Sequence, residues 1–491
     1  MTTSDHEQRV IDENVVPRLQ IGGEWRDASS GASFGVEDPA TGRVLCRVSD
    51  ATEEDALAAL DAASRAQAAW ADHPPRERGE ILRRAWQLLI ERRDDLALLM
   101  TLEMGKPLAE SRTEITYGAE FLRWFSEEAV RIDGRWSREP GGSGRLLTMK
   151  HPVGPCLLIT PWNFPLAMGT RKIGPAIAAG CTMVLKPAQL TPLSMLALAR
   201  VLEEVGLPAG VLNVIPSTSA SRTAGAVMAD PRLRKVSFTG STPVGRTLMA
   251  QASQNLLRMS MELGGNAPFV VFEDADLDRA IEGAVIAKMR NIGESCVAAN
   301  RFLVAEAVAE EFAAGLAAKM GSLRMGRGTE PEADVGPLID EDQRSKVTEL
   351  VEDAVGRGGK VLAGGGRREG AGYFFEPTVI GAVPDDSKIL SEEVFGPVAP
   401  VTAFGTEDEG VARANGTEYG LVAYVFTRDL ERALRVVEGL EVGMIGLNRG
   451  LVSNPAAPFG GVKQSGFGRE GGREGIEEYL STKYVAVDTG E

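Results

Sequence analysis

Two hydrophobic rhythms alternate along the chain. ATEEDALAALDAASRAQAAW, from residue 51, opens with Thr52 and Asp55 at the spacing of a capping box, and RERGEILRRAWQLLIERRDDLALLM repeats apolar residues every three or four positions. Both predict amphipathic helices flanking a sheet. From residue 153 the rhythm changes to short continuous apolar runs, VGPCLLIT, TMVL, VLNVI and KVSF, about 25 to 30 residues apart with helical segments between them. Parallel strands need a crossover of a dozen or more residues, usually a helix, so this is a βαβ series and predicts a Rossmann-like sheet. A second series begins at PFVV (268–271) and continues through RFLV, KVLAG, YFFEPTVI, AYVFT and GMIGLN. RLLTMKHP near residue 145 and the final KYVAVD fit neither series, and strands without local partners often pair with another subunit. No low-complexity linker and no repeat of 20 to 50 residues is present.

Composition narrows the partners. With 491 residues and 43% apolar content, the chain has room for two or three domains with ordinary cores. A net charge of −16 sets it against nucleic acid and anionic membranes, leaving a small metabolite as the fitting partner. MTTSDHEQRV lacks an apolar signal core and no run of 18 apolar residues occurs, so a cytoplasmic location is expected. Four cysteines without a C-x-x-C pair suggest neither a disulfide framework nor a zinc site, and no metal is expected.

The thiols are not equivalent. Cys156 and Cys181 lie in or beside apolar runs and Cys46 in the strand-like GRVLCRV, so these three read as small buried hydrophobes. Cys296, in MRNIGESCVAANR, follows Gly293, Glu294 and Ser295 in a polar stretch where the backbone can turn sharply. A catalytic thiol needs a base, usually an imidazole. The three histidines do not offer one: His6 is expected in a loose terminus, His73 precedes Pro74-Pro75 and His151 precedes Pro152. A Cys-His hydrolase is therefore disfavoured, and a carboxylate base is expected. Glu262 in MELGGNAPF is the candidate, because it ends an apolar segment and Gly264-Gly265 behind it let a backbone approach closely, although taken alone a Glu before Gly-Gly is more often structural.

Three further stretches carry chemistry. In ITPWNFPL, prolines fix the backbone around Asn163, whose amide either donates to an oxyanion or caps the next helix. MVLKPAQLTPLS puts Lys186 at a strand's carboxyl end, where open α/β sheets bind ligands. VSFTGSTPVG sets Gly240 and Ser241 between a strand and a helix start able to hold a phosphate, although it is not G-x-G-x-x-G.

Taken in order, ITPWNFPL, LKPA, SFTGST, MELGGNAP, the N-x-G-x-x-C run, EEVFGPV and PFGGVKQSG resemble the aldehyde dehydrogenase superfamily, and the resemblance runs from IGGEW at 21 to the KYVAV tail. It implies an α/β fold with a Rossmann-like dinucleotide-binding domain (1–130 and 151–262), an α/β catalytic domain (263–470) and small β oligomerisation strands (131–150 and 471–491) of a homodimer or homotetramer. It implies that Cys296 attacks an aldehyde carbonyl, that Asn163 and a backbone N–H hold the oxyanion of the thiohemiacetal, that hydride passes to nicotinamide, and that Glu262 activates the water that hydrolyses the thioester. Lys186 and Glu393 would hold ribose hydroxyls, Phe395 would pack near the nicotinamide, and Trp162, Ser241 and Val244 would line the phosphate and adenine ends, with Thr160, Pro161 and Gly240 beside them. Gln189 stands where NAD-specific members commonly carry a Glu that accepts from the ribose 2′-OH and repels a 2′-phosphate, so NADP is the expected cofactor and NAD the alternative. Two departures are visible. Glu294 replaces a frequent Gln and would raise the thiol pKa if it pointed inward, and Ser217 replaces a frequent Gly, which leaves that loop's path open.

LEMGKPLAE, GAEFLRWFSEEAVRIDG, GTRKIGPAIAAGCTMVLKPA and GLNRGLVSNPAAPFGGVKQSGFGRE resemble the succinate-semialdehyde dehydrogenase branch. There the substrate's far carboxylate is held by counterparts of Arg171, Arg290 and Ser453, in keeping with the planar donor fork of arginine. Each arginine alone is more often a surface charge or ion pair. Glutarate semialdehyde is one methylene longer and fits as well. Ala298 occupies the place where some relatives carry a second, disulfide-forming cysteine, so no such switch is expected. The rival readings are a broad aldehyde dehydrogenase for uncharged aldehydes, against which the arginine pair speaks, and a catalytically silent nucleotide-binding scaffold, against which Cys296, Glu262 and Asn163 together speak.

Overall fold

The computed structural model describes residues 5–488. Its two large sheets correspond to the two apolar series. In the first, Leu212–Val214, Met183–Lys186, Cys156–Ile159, Lys235–Thr239 and Arg258–Glu262 lie parallel in that spatial order. All but Arg258 are buried, which is why these strands read as continuous apolar runs rather than as alternation. Leu19–Ile21 and Glu24–Arg26 close one edge and Gly466–Phe467 the other, all antiparallel. The strand earliest in sequence lies in the middle of the parallel set, so the winding direction reverses beside Cys156–Ile159, and a crevice opens at the strands' carboxyl ends.

The second sheet runs Lys360–Ala363, Thr378–Gly381, Val398–Phe404, Ala299–Ala305, Ala267–Val271, Val422–Phe426, Met444–Leu447, with only its first pair antiparallel. Val398–Phe404 is not among the predicted runs. It carries Pro400 and follows Gly396-Pro397, signals that ordinarily argue against a central strand. Beneath the sheet, Phe269 packs 5.2 Å from Phe302, 5.0 Å from Phe426 and 5.8 Å from Tyr424, ring centre to ring centre. Such pairs contribute about 0.5–1.5 kcal/mol each beyond their buried area. Tyr424 Oη donates to Val297 O at 2.8 Å, so this aromatic core also holds the residue after Cys296.

The two segments without expected local partners find each other. Leu480–Val487 pairs antiparallel with the whole of Arg145–Pro152, and Arg135–Arg138 adds a third strand. The expectation of strands unpaired within the chain is thus corrected: the partners are local in space but more than three hundred residues apart in sequence. The capping-box expectation holds in detail. Helix Glu53–Ala71 begins with both halves of the Thr52–Asp55 capping box, and Pro75–Glu91 follows it. His6 lies in the helix Asp5–Asn14 rather than in loose chain. Among the described residues no helix is long and apolar enough to cross a membrane, and no cluster of metal-ligating side chains occurs.

Candidate active site

Glu262 ends the last parallel strand of the first sheet, and Gly264-Gly265 carry the chain toward the second sheet at Ala267. Cys296 lies just before Ala299–Ala305. A Cβ at Gly265 would come 2.5 Å from Cys296 O, so glycine is what lets these two segments touch. The thiol is half-buried. Burial pushes its pKa up to about 12, with Arg171 and Arg290 pulling down and Glu393 and Glu262 pushing up. It is therefore protonated at neutral pH and needs a base to react. His73 is stacked on Trp70 and paired with Glu77, and His151 lies in the small three-stranded sheet. Of the other thiols, Cys156 and Cys181 are fully buried and Cys46 is partly so, as the sequence indicates.

Asn163 is 3% exposed, and its Nδ2 donates to Glu294 O at 3.1 Å. It does not cap the following helix, Ala167–Ala179. That role falls to Glu114, whose Oε1 accepts from Leu166 N and Ala167 N at 3.1 and 3.2 Å. Asn163 shares a cavity of about 210 Å³ with Pro161, Trp162, Gly240, Ser241, Cys296, Glu393 and Phe395, so eight sequence-predicted residues line one space.

Glu262 is buried and neither carboxyl oxygen has a hydrogen-bond partner among the described residues. Burial, then Glu470, hold its pKa well above the carboxylate range against Arg171, Lys172 and Arg469. Glu470 is its opposite. It accepts from Arg171 Nε at 2.7 Å and from Lys172 Nζ, and those cations overcome burial to hold it at about 2. Two carboxyls thus share two cations, with the negative charge on Glu470 and the proton affinity on Glu262. Gly460 leaves room for this arrangement, since a Cβ there would lie 2.8 Å from Glu262 Oε1. Sequence reasoning missed Glu470 and Lys172, whose contact spans 298 residues.

Both departures from the motifs have a structural outcome. Glu294 turns its carboxyl to Ile339 N, which its Oε1 accepts at 3.0 Å, and burial raises its pKa well above the usual range. Ser217 is buried and donates to Ala51 O at 2.9 Å while accepting from Ser219 N at 3.1 Å, which fixes the loop.

On the crevice side, Ser241 starts helix Thr242–Ala252 without a side-chain cap, which leaves the helix's first N–H groups open to an anion. Trp162 meets the Phe395 ring edge-on at 5.3 Å. Glu393 spends Oε1 on Gly265 N at 3.0 Å. Thr160 N donates to Lys186 O at 3.3 Å, and burial lowers Lys186 to about 8 against Asp50. Thr160, Lys186, Gln189 and Val244 lie outside the cavity, and Gln189 and Val244 are exposed.

On the other side of the thiol, Arg290 lines a cavity of about 320 Å³ with Glu110, Phe164, Met289 and Leu451. Its Nη1 donates to Ser453 Oγ at 3.2 Å, and the guanidinium lies over Phe164 (4.9 Å) and Tyr117 (5.6 Å). Arg171 differs. It is 1% exposed, matched by Glu470 and stacked 4.0 Å over Phe459. Arg290 and Ser453 therefore meet, whereas Arg171 lies deeper, ion-paired with Glu470, with its Nη2 making no hydrogen bond among the described residues. The aromatic lining of Tyr117, Phe164 and Phe459 carried no signal in the sequence beyond ordinary core.

Comparison with known proteins agrees with this geometry. A family model described as "Aldehyde dehydrogenase family" matches residues 25–485. A succinate-semialdehyde dehydrogenase of Paenarthrobacter nicotinovorans is 61% identical over 444 residues, covering 90% of this chain and 99% of the relative. A glutarate-semialdehyde dehydrogenase of Pseudomonas putida is 50% identical over 467 residues, covering 95% and 97%. Among solved structures, an E. coli NADP dependent enzyme superposes with a TM-score of 0.96 at 48% identity, covering 97% of this chain and 99% of that one.

Proposed function

Because the chain belongs to the aldehyde dehydrogenase family, we propose that it oxidises succinate semialdehyde, or a close carboxylated semialdehyde such as glutarate semialdehyde, to the dicarboxylate with reduction of NAD(P). The observation that carries the substrate reading is Arg290, a cavity-wall cation whose charge reaches the thiol, with a serine and two rings around it and no carboxylate within ion-pair distance among the described residues, although Glu110 and Glu114 line the same cavity. The names of the semialdehyde relatives support the same substrate class.

In this reading the Cys296 thiol gives up its proton to solvent and the resulting thiolate attacks the aldehyde carbon. One N–H of the Asn163 amide is committed to Glu294 O, and the other donates to the oxygen that becomes negative. Removing one such donor typically costs about 2.7–4 kcal/mol of transition-state stabilisation. The dinucleotide, when bound, would accept the hydride lost from the thiohemiacetal carbon, and that loss leaves a thioester on Cys296. Glu262 then takes a proton from water, the water adds to the thioester carbonyl, and the Cys296 sulfur leaves. Burial, which raises the pKa of Glu262, makes its carboxylate form the stronger base.

The crevice residues fit the cofactor through the uncapped helix start at Ser241 and the buried ammonium of Lys186. Trp162, Ser241 and Val244, with Thr160, Pro161 and Gly240 beside them, would hold the phosphate and adenine ends, Lys186 and Glu393 the ribose hydroxyls, and Phe395 the nicotinamide face. The uncharged, exposed Gln189 supports NADP over NAD, as does the likeness to an NADP dependent enzyme of E. coli. The small sheet exposes Trp136 and Tyr484 at 60% and 59%, which supports its use as an oligomerisation surface in a homodimer or homotetramer.

The test is transient kinetics with succinate semialdehyde and butanal. Wild type should favour the charged substrate in kcat/KM, Cys296→Ala should lose turnover while keeping cofactor binding, and Glu262→Gln should keep a first-turnover burst with a slow steady state. Equal handling of both aldehydes would refute the substrate reading, and turnover retained by Cys296→Ala would refute the nucleophile.

A further inference from the structure

The three residues Asn291, Ile292 and Gly293, which lead into the thiol loop, all have left-handed backbone, with φ of 55°, 62° and 78°. Glycine adopts this freely and asparagine tolerates it, but for a β-branched isoleucine it is a genuine outlier. Such a turn persists only where its surroundings over-determine it. Gly293 has no alternative, because a Cβ there would lie 2.2 Å from Gly396 O. What holds the rest is Asn291. Its N–H donates to Glu110 Oε2 at 2.6 Å. Its side-chain Nδ2 donates both to Asn163 O at 2.9 Å and to Glu294 O at 2.8 Å.

Those two acceptors belong to the two halves of the reaction centre. Asn163 O is the main-chain oxygen of the residue carrying the oxyanion amide, and Glu294 lies two positions before the nucleophile. The Asn163 amide itself donates to the same Glu294 O. One buried amide therefore closes a ring of hydrogen bonds linking the oxyanion donor to the thiol loop. Lys106 Nζ adds a second donor to Asn163 O at 2.9 Å, but touches only that half.

We propose that Asn291 is a positioning residue: through Asn163 O and Glu294 O it sets the placement of the Asn163 amide relative to Cys296, and so governs the acylation half of the reaction. This rests on the assignment of Asn163 as oxyanion donor and Cys296 as nucleophile. Asn291 touches no reacting atom in this scheme. Its loss should act as a misplacement, and a shift of about 1 Å in a reaction centre can cost about a hundredfold in rate.

The experiment uses the full-length enzyme with NADP and succinate semialdehyde, reading the burst of reduced cofactor by stopped flow. Asn291→Gly permits the left-handed backbone and removes the side chain with its amide. The burst rate should fall at least about tenfold, while the Kd for NADP stays within about twofold. Asn291→Asp, which keeps size and backbone tolerance but has no side-chain N–H, should slow the burst likewise. If Asn291 acts through Asn163, the double variant Asn163→Ala/Asn291→Gly should be no slower than Asn163→Ala alone.

A burst within about threefold of wild type in either folded Asn291 variant overturns the proposal, as do losses that multiply in the double variant. Failure of both Asn291 variants to fold also overturns it, by making the residue merely structural. Asn163→Ala alone separates this from the underlying assignment. If that variant keeps its burst, the oxyanion role is wrong. If it loses the burst while Asn291→Gly keeps it, only the present proposal fails.

Discussion

Arg171 and Arg290 are the same side chain, a few residues from the same thiol in space, and their surroundings could hardly differ more. Arg171 is sealed in the core with Lys172, shares Glu470 with it, and rests on Phe459. Arg290 is half-buried at a cavity wall, over two aromatic rings, with one hydroxyl at 3.2 Å. A charge matched inside the protein is part of the scaffold; a charge left unmatched beside a cavity is available to whatever enters. The two regions behind and in front of Cys296 are therefore predicted to differ in kind when altered.

The largest effect should come from breaking the matched region. Arg171→Ala leaves Glu470 buried with only Lys172, and removing one partner of a buried ion pair typically costs about 3–5 kcal/mol. Denaturant unfolding should show a loss of that order, and activity toward succinate semialdehyde and butanal should fall together. A stable variant impaired only on the charged substrate would show instead that Arg171 reads the carboxylate. Breaking the unmatched region should be gentler and selective. Hydrogen bonds to charged groups contribute about 1.5–3 kcal/mol, so Arg290→Ala should lose roughly ten- to a hundredfold in kcat/KM for succinate semialdehyde while butanal is nearly unaffected. Arg290 also pulls the thiol pKa down, so iodoacetamide should alkylate Cys296 more slowly in this variant at fixed pH.

Two smaller changes sharpen the same distinction. Gln189→Glu adds an unmatched carboxylate at an exposed cofactor position and should move the preference from NADP toward NAD by about tenfold in relative kcat/KM. Glu294→Gln removes a buried carboxyl that has no cation in contact. Its folded pKa lies well above the value of about 4.3 expected in the unfolded chain, so the unfolded state ionises first and stability is lost as pH rises from about 4 upward. The Gln variant escapes that loss. Its melting temperature should exceed wild type by about 1 °C at pH 8, corresponding to about 1 kcal/mol, and the advantage should vanish as pH falls toward 4.

What the sequence disclosed follows from how far each signal reaches. Buried parallel strands announce themselves locally as apolar runs, and the thiol loop announces itself by its glycine and its polar flanks. The Thr52 cap was legible because both of its hydrogen bonds lie within four residues. Val398–Phe404 was hidden because its prolines are tolerated only by the context of the finished sheet. Asn163 was legible as an amide among prolines, but its alternative role as a helix cap could be dismissed only once Glu114, on another helix, was seen in that place. Glu470 gave no sign, since nothing in a glycine-rich loop tells that it will meet Arg171 after 299 residues.

That last separation also sets a schedule for the chain's birth. At about 5–20 residues per second, a ribosome needs roughly 15–60 s to travel from Arg171 to Glu470. During that interval the nascent first sheet holds two cations destined for its interior and lacks both their counter-ion and its final edge strand, Gly466–Phe467. The amino-terminal half is thus barred from completing its core on its own during translation, and it must remain open, or shielded by a chaperone, until the last segment emerges to neutralise it.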